Sequence, residues 1–418
     1  MNPPEGVPHA GDASRAAPLR NANFRALLGY RIFTILSYQI VAVTAGWTIY
    51  AQTGNPWMLG LIGLAEVLPY FCVAPFAGYL VDHLPRRRLG MAAAAGLAVT
   101  PLLLALLTSD LVTASVWLLY LPIMLTGMVR AFLGPVYNAL FARVLPRDQF
   151  VRGASLGSIV FQSAMVLGPA IGGLLIKPLG VPGVFVLAAV LALLVIGCLA
   201  RMGVTEPPQK LQREPVFASI AEGARFVFGH QILLAALALD MFAVLFGGAI
   251  SLAPAFIHDV LHYGPEGLGI LRSAPALGSV AMGIWLARNP VQRNAGRFLL
   301  AAVAGFGLCM IGFGLSTAFW LSAFFLLLSG MCDGVSVVMR STIMQLSTPD
   351  HMRGRVSSIN GLFVGSSNEI GAFYMGSMAR LLGLVPAVVV GGCMTIAVVA
   401  TTAFKAPRLR RLDLRELT

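Results

Sequence analysis

The sequence predicts an all-α integral membrane protein of twelve transmembrane helices in two pseudo-symmetric six-helix bundles. Three observations carry that expectation. First, twelve long apolar runs alternate with short loops, and a spanning helix needs about 20 such residues. Second, only 11% of residues are charged while 57% are hydrophobic, with a mean hydropathy of +0.82. A water-soluble domain cannot hide that much apolar surface. Third, most of the 29 Lys and Arg residues fall in the N-terminal tail, the C-terminal tail and every second loop, and only Lys177 and Arg380 lie in the opposite loops. The positive-inside rule then places both termini in the cytoplasm, as a multi-pass protein of the inner (cytoplasmic) membrane.

The first half opens with residues 1–23, rich in Pro, Ala, Gly and Arg and lacking a secretory cleavage pattern, read as a disordered cytoplasmic arm. Spans are expected near Phe24 to Tyr50, Pro56 to Val81, Leu89 to Leu107, Val112 to Phe141, Gly153 to Ile176 and Val181 to Met202, giving a first bundle over residues 24–202. Residues 203–229, with EPPQK and Pro215 ahead of a mixed stretch, read as a cytoplasmic linker with an interfacial helix. The second bundle, residues 230–404, has spans near His230 to Ile257, Gly267 to Ala287, Phe298 to Leu315, Ala318 to Leu346, Ser357 to Leu382 and Val385 to Phe404, followed by a basic cytoplasmic tail over 405–418. At one constant offset, Pro146 maps to Pro349, Arg152 to Arg355, Gly168 to Gly371 and Gly173 to Gly376, while Arg130 maps to Asp333. Duplicated halves of this kind enclose a path between them.

The net charge of +12 is spread along membrane edges instead of forming one patch, which indicates anionic lipid and topology, with no nucleic-acid partner. The five cysteines are scattered singly through apolar runs and read as small buried hydrophobes, so neither a metal site nor a cofactor is expected. His258 and His262 have metal-ligand spacing, but the segment reads better as a solvated loop. Trp47, Tyr50, Trp57 and Tyr70 are either interfacial anchors or walls that stack on cargo.

The loop after the second span, Gly78-Tyr-Leu-Val-Asp82-His-Leu-Pro-Arg86-Arg87-Arg88, resembles the signature loop of the major facilitator superfamily, with His83 and Pro85 departing from its usual residues. The resemblance implies a cytoplasmic latch made by Gly78, Asp82, Arg86, Arg87 and Arg88 with Arg143. An ion pair there, formed in one packing of the halves and broken in the other, biases a two-state equilibrium. The alternative is that these charges only set topology. Arg130 followed by Gly134 in the fourth span, and Gly168-Pro169-Ala-Ile-Gly172-Gly173 in the fifth, resemble the drug-exporting branch. The glycines fit either a hinge bent at Pro169 or ordinary tight packing. Leu239-Asp240-Met-Phe and Met352-Arg-Gly-Arg355-Val-Ser-Ser-Ile-Asn360-Gly resemble the group containing enterobactin exporters and macrolide efflux proteins, so the resemblance spans Phe24 to about Phe404 and implies the major facilitator fold.

A lone charge at mid-bilayer costs roughly 2.5–3.5 kcal/mol, so such groups pair or face water. Glu66, Arg130, Asp240, Arg272, Asp333, Arg340 and Glu369 all fall inside apolar runs. A buried carboxyl holds its proton more tightly and a neighbouring arginine loosens it, so alternating exposure can load and release protons. Glu66 and Asp240 are the favoured proton or cargo sites, with Arg130 their modulator. Asp333 and Arg340, two turns apart, either line one face or form a structural ion pair. Glu369 sits in a polar patch with Ser366, Ser367 and Asn368, and Arg272 is expected to snorkel to the outer surface. The reading is therefore a monomeric, proton-coupled exporter of small amphipathic molecules, siderophore-like or drug-like, working by alternating access and not an enzyme: no Walker loop or HExxH is present. A nickel-type metal exporter and a non-transporting membrane sensor are the alternatives.

Overall fold

A computed structural model describes residues 18–203, 216–289, 291, 293–349 and 352–416, so residues 1–17 of the arm expected over 1–23 and the linker segment 204–215 lie outside the described residues, while Pro18–Arg20 form a 3-10 turn and the first helix already takes in Ala22 and Asn23. Helix α1 (Ala22–Thr53) begins where the Asn21 side chain accepts from the amides of Asn23 and Phe24, and ends at Gly54, whose φ of 57° suits glycine. α2 (Pro56–His83) starts with proline in its first turn and an Asn55 cap. α3 (Arg86–Leu107) and α4 (Tyr120–Val144) follow. Val112 lies in the loop before α4 instead of within it, because the segment to Ala114 lacks helical pairing despite its apolarity.

The next helical run, Phe150–Ala200, is 51 residues long, twice what a bilayer needs, and breaks at Gly180 (φ 69°, ψ 166°) between Pro178 and Pro182. It is two spans, α5 (150–179) and α6 (181–200). α7 (Val216–Gly229) is a short helix packed through Val227 against Met352 and Val356. α8 (Gln231–Gly247) continues through a 3-10 turn (Ala249–Leu252), Ala253–Ala255 and a π-turn (Phe256–Val260), a break within what the sequence reads as one continuous span. α9 (Pro265–Arg288), α10 (Ala295–Leu315), α11 (Phe319–Ser347), α12 (Arg353–Leu382) and α13 (Leu384–Lys405) complete the membrane portion.

Ten helical runs among the described residues are long and apolar enough to cross a membrane. One is the pair α5 and α6, and the twelfth span is α12, which falls short of that apolarity because it carries Arg353, Arg355, Asn368, Glu369 and Arg380. The chain is thus an all-helical multi-pass membrane protein of two six-helix bundles. In the first bundle α1 packs on α5 and α6, and α2 on α4; in the second α8 packs on α12 and α13, and α9 on α11. The tail folds back as α14 (Pro407–Arg410): Leu409, Leu412 and Leu414 are buried beneath α10, leaving Arg408, Arg410 and Arg411 exposed.

The bundles meet through α2 on α12 and α5 on α9. Both contacts reach the face opposite the termini as close backbone approaches. A Cβ on Gly376 would sit 2.7 Å from the Gly60 Cα and 2.8 Å from the Pro56 oxygen, and one on Gly173 would sit 2.6 Å from the Pro265 oxygen. One continuous apolar core on that face joins Val43, Tyr50 and Leu59 of the first half to Leu252, Phe256 and Met375 of the second. On the termini face the cores are separate, one around Phe24, Tyr137 and Leu199 and another around Leu299, Met339 and Leu409. A Cβ on Gly78, Gly361 or Gly365 there would meet no atom within 4 Å. The molecule is closed on the far face and open toward the termini.

A wedge at the closed face tests this directly. Gly376→Val forces backbone apart, at an overpacking cost of about 1–3 kcal/mol. In a cysteine-replaced background with Val43→Cys as reporter, maleimide labelling from the far face should rise several-fold. Unchanged labelling would show that the α2–α12 contact does not hold that face shut.

Candidate functional site

Three charges converge about halfway through the membrane. Glu66 is ten residues into α2, about 15 Å of rise in a hydrocarbon layer of roughly 30 Å. Two glycines draw the neighbouring backbones onto that turn. A Cβ on Gly63 would lie 2.5 Å from the Glu369 carbonyl oxygen, and one on Gly127 would collide with the carbonyl of Glu66 itself. α12 and α4 can therefore approach α2 closely on either side of Glu66. From α4, Arg130 Nη1 donates to Glu66 Oε2 at 2.8 Å and to Glu369 Oε1 at 3.0 Å. From α1, the Tyr38 hydroxyl donates to Glu66 Oε2 at 3.2 Å, while its ring lies 4.2 Å from the Arg130 guanidinium carbon. Glu66 and Arg130 belong to the first bundle and Glu369 to the second, so one guanidinium ties the halves together.

Arg272 of α9 does not reach the surface as its position near a helix start suggested. It turns inward and donates to the Ala42 carbonyl of α1 at 3.3 Å, because this face of α9 lies against the other bundle. Two guanidiniums and two carboxylates thus sit close to charge balance, with the carboxylates shared unequally: both bond Arg130, neither bonds Arg272.

A second constellation lies wholly inside the second bundle. Asp240 of α8 forms an ion pair with Arg340 of α11, both side chains under 10% exposed at 8% and 7%, and accepts from the Ser336 hydroxyl at 3.2 Å. Arg340 therefore pairs with Asp240 and not with Asp333. Asp333 lines a small cavity with Asp240, Val303, Phe306, Cys332 and Ser336.

Of the expected latch residues, the Asp82 side chain lies outside the described residues. Arg86 Nε donates to the Val81 carbonyl at 3.3 Å, Arg87 Nη2 to the Ala200 carbonyl at 2.6 Å, and Arg88 and Arg143 are exposed. The glycine motif of α5 serves two neighbours. Gly168 and Gly172 lie against Gln39 and Ile40 of α1, whereas Gly173 and the Pro169 carbonyl lie against Gly269 of α9. Ser273 reinforces the second contact by donating to the Val166 carbonyl at 2.8 Å.

On the closed face, the segment expected as a solvated loop is exposed at His258, Asp259 and His262, and it also meets the other half. The Tyr50 hydroxyl hydrogen bonds Asp259, whose other oxygen meets His258 Nδ1 at 2.6 Å, and the His258 ring lies edge-on to Tyr50 and Trp47. Tyr50 and Trp47 therefore make contacts between the halves, while the Trp57 ring centroid lies 5.2 Å from the Arg380 guanidinium carbon. Sequence reading missed Tyr38, Gly63 and Gly127. A tyrosine or glycine inside an apolar run carries no charge to flag it, although Gly127 does precede Arg130 by one helical turn.

A family model described as transmembrane secretion effector matches residues 13–417. Among curated proteins, the multidrug efflux pump Tap of Mycolicibacterium fortuitum is 27% identical, over 90% of this chain and 93% of its own length. The enterobactin exporter EntS of Shigella boydii serotype 18 is 25% identical, with 86% of each chain covered. Among solved structures, a bacterial homolog of the human lysosomal transporter Spinster, in its inward-facing and unoccupied conformation, superposes with a TM-score of 0.72 at 15% identity, covering 94% of this chain and 97% of that one. The nucleoside transporter NupG gives a TM-score of 0.67 at 12% identity, covering 91% and 99%. These two likenesses concern the fold.

Proposed function

Because the chain belongs to the transmembrane secretion effector family of major facilitator transporters, we propose that it is a proton-coupled exporter of small amphipathic molecules, siderophore-like or drug-like, in the cytoplasmic membrane. The family is one of transporters and not enzymes, and its relatives here include a drug efflux pump and an enterobactin exporter. The observation that carries the coupling is the Arg130 bridge between Glu66 of its own half and Glu369 of the other.

In this reading the termini face is cytoplasmic, in keeping with its arginine-rich loops, so the open side receives cargo from within. A proton arriving at Glu369 removes the charge that holds α12 to Arg130. A charge-assisted hydrogen bond is roughly twice as strong as a neutral one, so this loss loosens the bridge between halves. A proton leaving restores it. Cargo and proton then compete for one centre, which is the elementary requirement of antiport. The Asp82 loop with Arg86, Arg87, Arg88 and Arg143 latches the opposite state, when the termini face closes, and the α5 glycines with Pro169 flex between the two. Glu66 is the first-half proton or cargo site, Arg130 its modulator, and Asp240, Arg340 and Asp333 its second-half counterpart. The transporter acts as a monomer.

Purified protein in liposomes with an imposed pH gradient should accumulate a labelled catecholate siderophore or a macrolide on the acidic side, and collapse of the gradient should stop it. Movement of nickel alone would assign the metal-exporter alternative. Transport indifferent to pH would remove proton coupling.

A further inference from the structure

Arg31 is the tenth residue of α1, inside the membrane portion of the first bundle, yet no carboxylate among the described residues pairs with it. Its guanidinium is held by aromatic faces instead, 4.1 Å from the Tyr137 ring centroid on α4 and 5.2 Å from that of Phe161 on α5. Its Nε is buried without a hydrogen-bond partner, and so is the Tyr137 hydroxyl. Gly157 leaves the space between them: a Cβ there would lie 2.5 Å from the Tyr137 oxygen and 3.7 Å from Arg31 Nη1. The arginine as a whole remains only half-buried. Buried polar groups in folded proteins are almost always satisfied, so two orphaned donors around one uncompensated cation need an explanation.

Position supplies one. Arg31 precedes Tyr38 by seven residues, two helical turns or about 10 Å, on the same face of α1. Tyr38 carries the Glu66–Arg130 centre, so Arg31 lies between that centre and the open termini face. Phe161 is 37% exposed, which leaves one wall of this arginine open to what passes. A guanidinium stacked on aromatic rings keeps its charge and its in-plane donors free, the arrangement suited to a planar ligand bearing an oxyanion.

We propose that Arg31, Tyr137 and Phe161 form a recognition site for aromatic carboxylates or phenolates, engaging the anionic end of the cargo before it reaches the central charges. This deepens, and rests on, the export reading. The same oxyanion chemistry is offered by a lipid headgroup phosphate, and the test separates the two sources. Full-length protein in dodecyl maltoside is titrated calorimetrically with 2-naphthoate and with its methyl ester. The acid should bind about tenfold more tightly than the ester, a difference of about 1.4 kcal/mol. Arg31→Gln should erase that preference while leaving ester binding unchanged, and Tyr137→Phe should weaken acid binding several-fold. Arg31→Lys, which keeps the charge and loses the planar stack, should retain part of the preference and serves alone if the glutamine variant does not elute as wild type. Equal binding of acid and ester by the wild type, or an acid affinity indifferent to both Arg31 variants, overturns the proposal. If phosphatidylglycerol displaces naphthoate from the wild type at low molar ratio, the site belongs to lipid and the cargo role falls. No gradient enters the titration, so its failure and a failure of proton-driven export are read independently.

Discussion

Glu369→Gln leaves a folded protein that exchanges cargo but no longer concentrates it. The amide occupies the same space as the acid and mimics its protonated form, so the Arg130 bridge at 3.0 Å loses the charge on one side while keeping an acceptor oxygen. Hydrogen bonds to charged groups contribute about 1.5–3 kcal/mol, against about 0.5–1.5 for neutral ones. Because the Arg130 side chain is 30% exposed and that of Glu369 19%, the lower end of the difference applies, about 1 kcal/mol. That shifts the ratio of the two packings by roughly fivefold, since about 1.4 kcal/mol is a factor of ten. The larger effect is on coupling, because a glutamine cannot carry a proton. Cargo counterflow without a pH gradient should continue near the wild-type rate, while uphill movement driven by the gradient should fall to the level of empty liposomes. Glu66→Gln should also uncouple, but it weakens a bond within one half, so its effect on the packing ratio should be smaller. Wild-type gradient-driven accumulation by Glu369→Gln would remove the inter-half bridge from the coupling mechanism.

Much of this site is written into the sequence as cost. Glu66, Arg130 and Glu369 stand out because charge inside an apolar run is expensive enough to demand a partner. Which partner each finds is not legible, since periodicity describes one helix at a time and the partners lie on different helices. Asp333 and Arg340 share a helix and a spacing of two turns, yet Arg340 turns to Asp240 across the α8–α11 contact. Arg272 illustrates the same limit. Its distance from the helix start suggests the surface, but the direction of its side chain is set by α9 packing on the first bundle. Arg31 was hidden for the converse reason: at the leading edge of the first apolar run it reads as one more topological charge. The twelve spans were legible because bilayer thickness fixes their length, whereas the Gly180 break and the π-turn near His258 depend on local backbone geometry that composition does not encode.

The second large effect is on stability. Arg340→Leu should destabilise the second bundle by about 3–5 kcal/mol, because it strands the Asp240 carboxylate in a site where both partners are under 10% exposed. The expected readout is a fall of several degrees in the apparent unfolding midpoint in detergent at a fixed scan rate, since unfolding of such a protein is governed by rate as much as by equilibrium. Replacing both partners, as Asp240→Leu with Arg340→Leu, should recover most of the loss, because the desolvation of two charges is removed along with their attraction. Asp333→Asn supplies the contrast. That carboxylate shows no ion pair among the described residues and borders a small cavity, so neutralising it should leave the midpoint unchanged or slightly raised. Transport normalised to folded protein then separates structure from coupling. If the double leucine variant still drives gradient-dependent export, the Asp240–Arg340 pair holds the bundle together and proton coupling rests on Glu66 and Glu369. If it is stable yet uncoupled, Asp240 is a further proton site beside Glu66 and Glu369, and the ion pair with Arg340 serves coupling as well as the packing of the bundle.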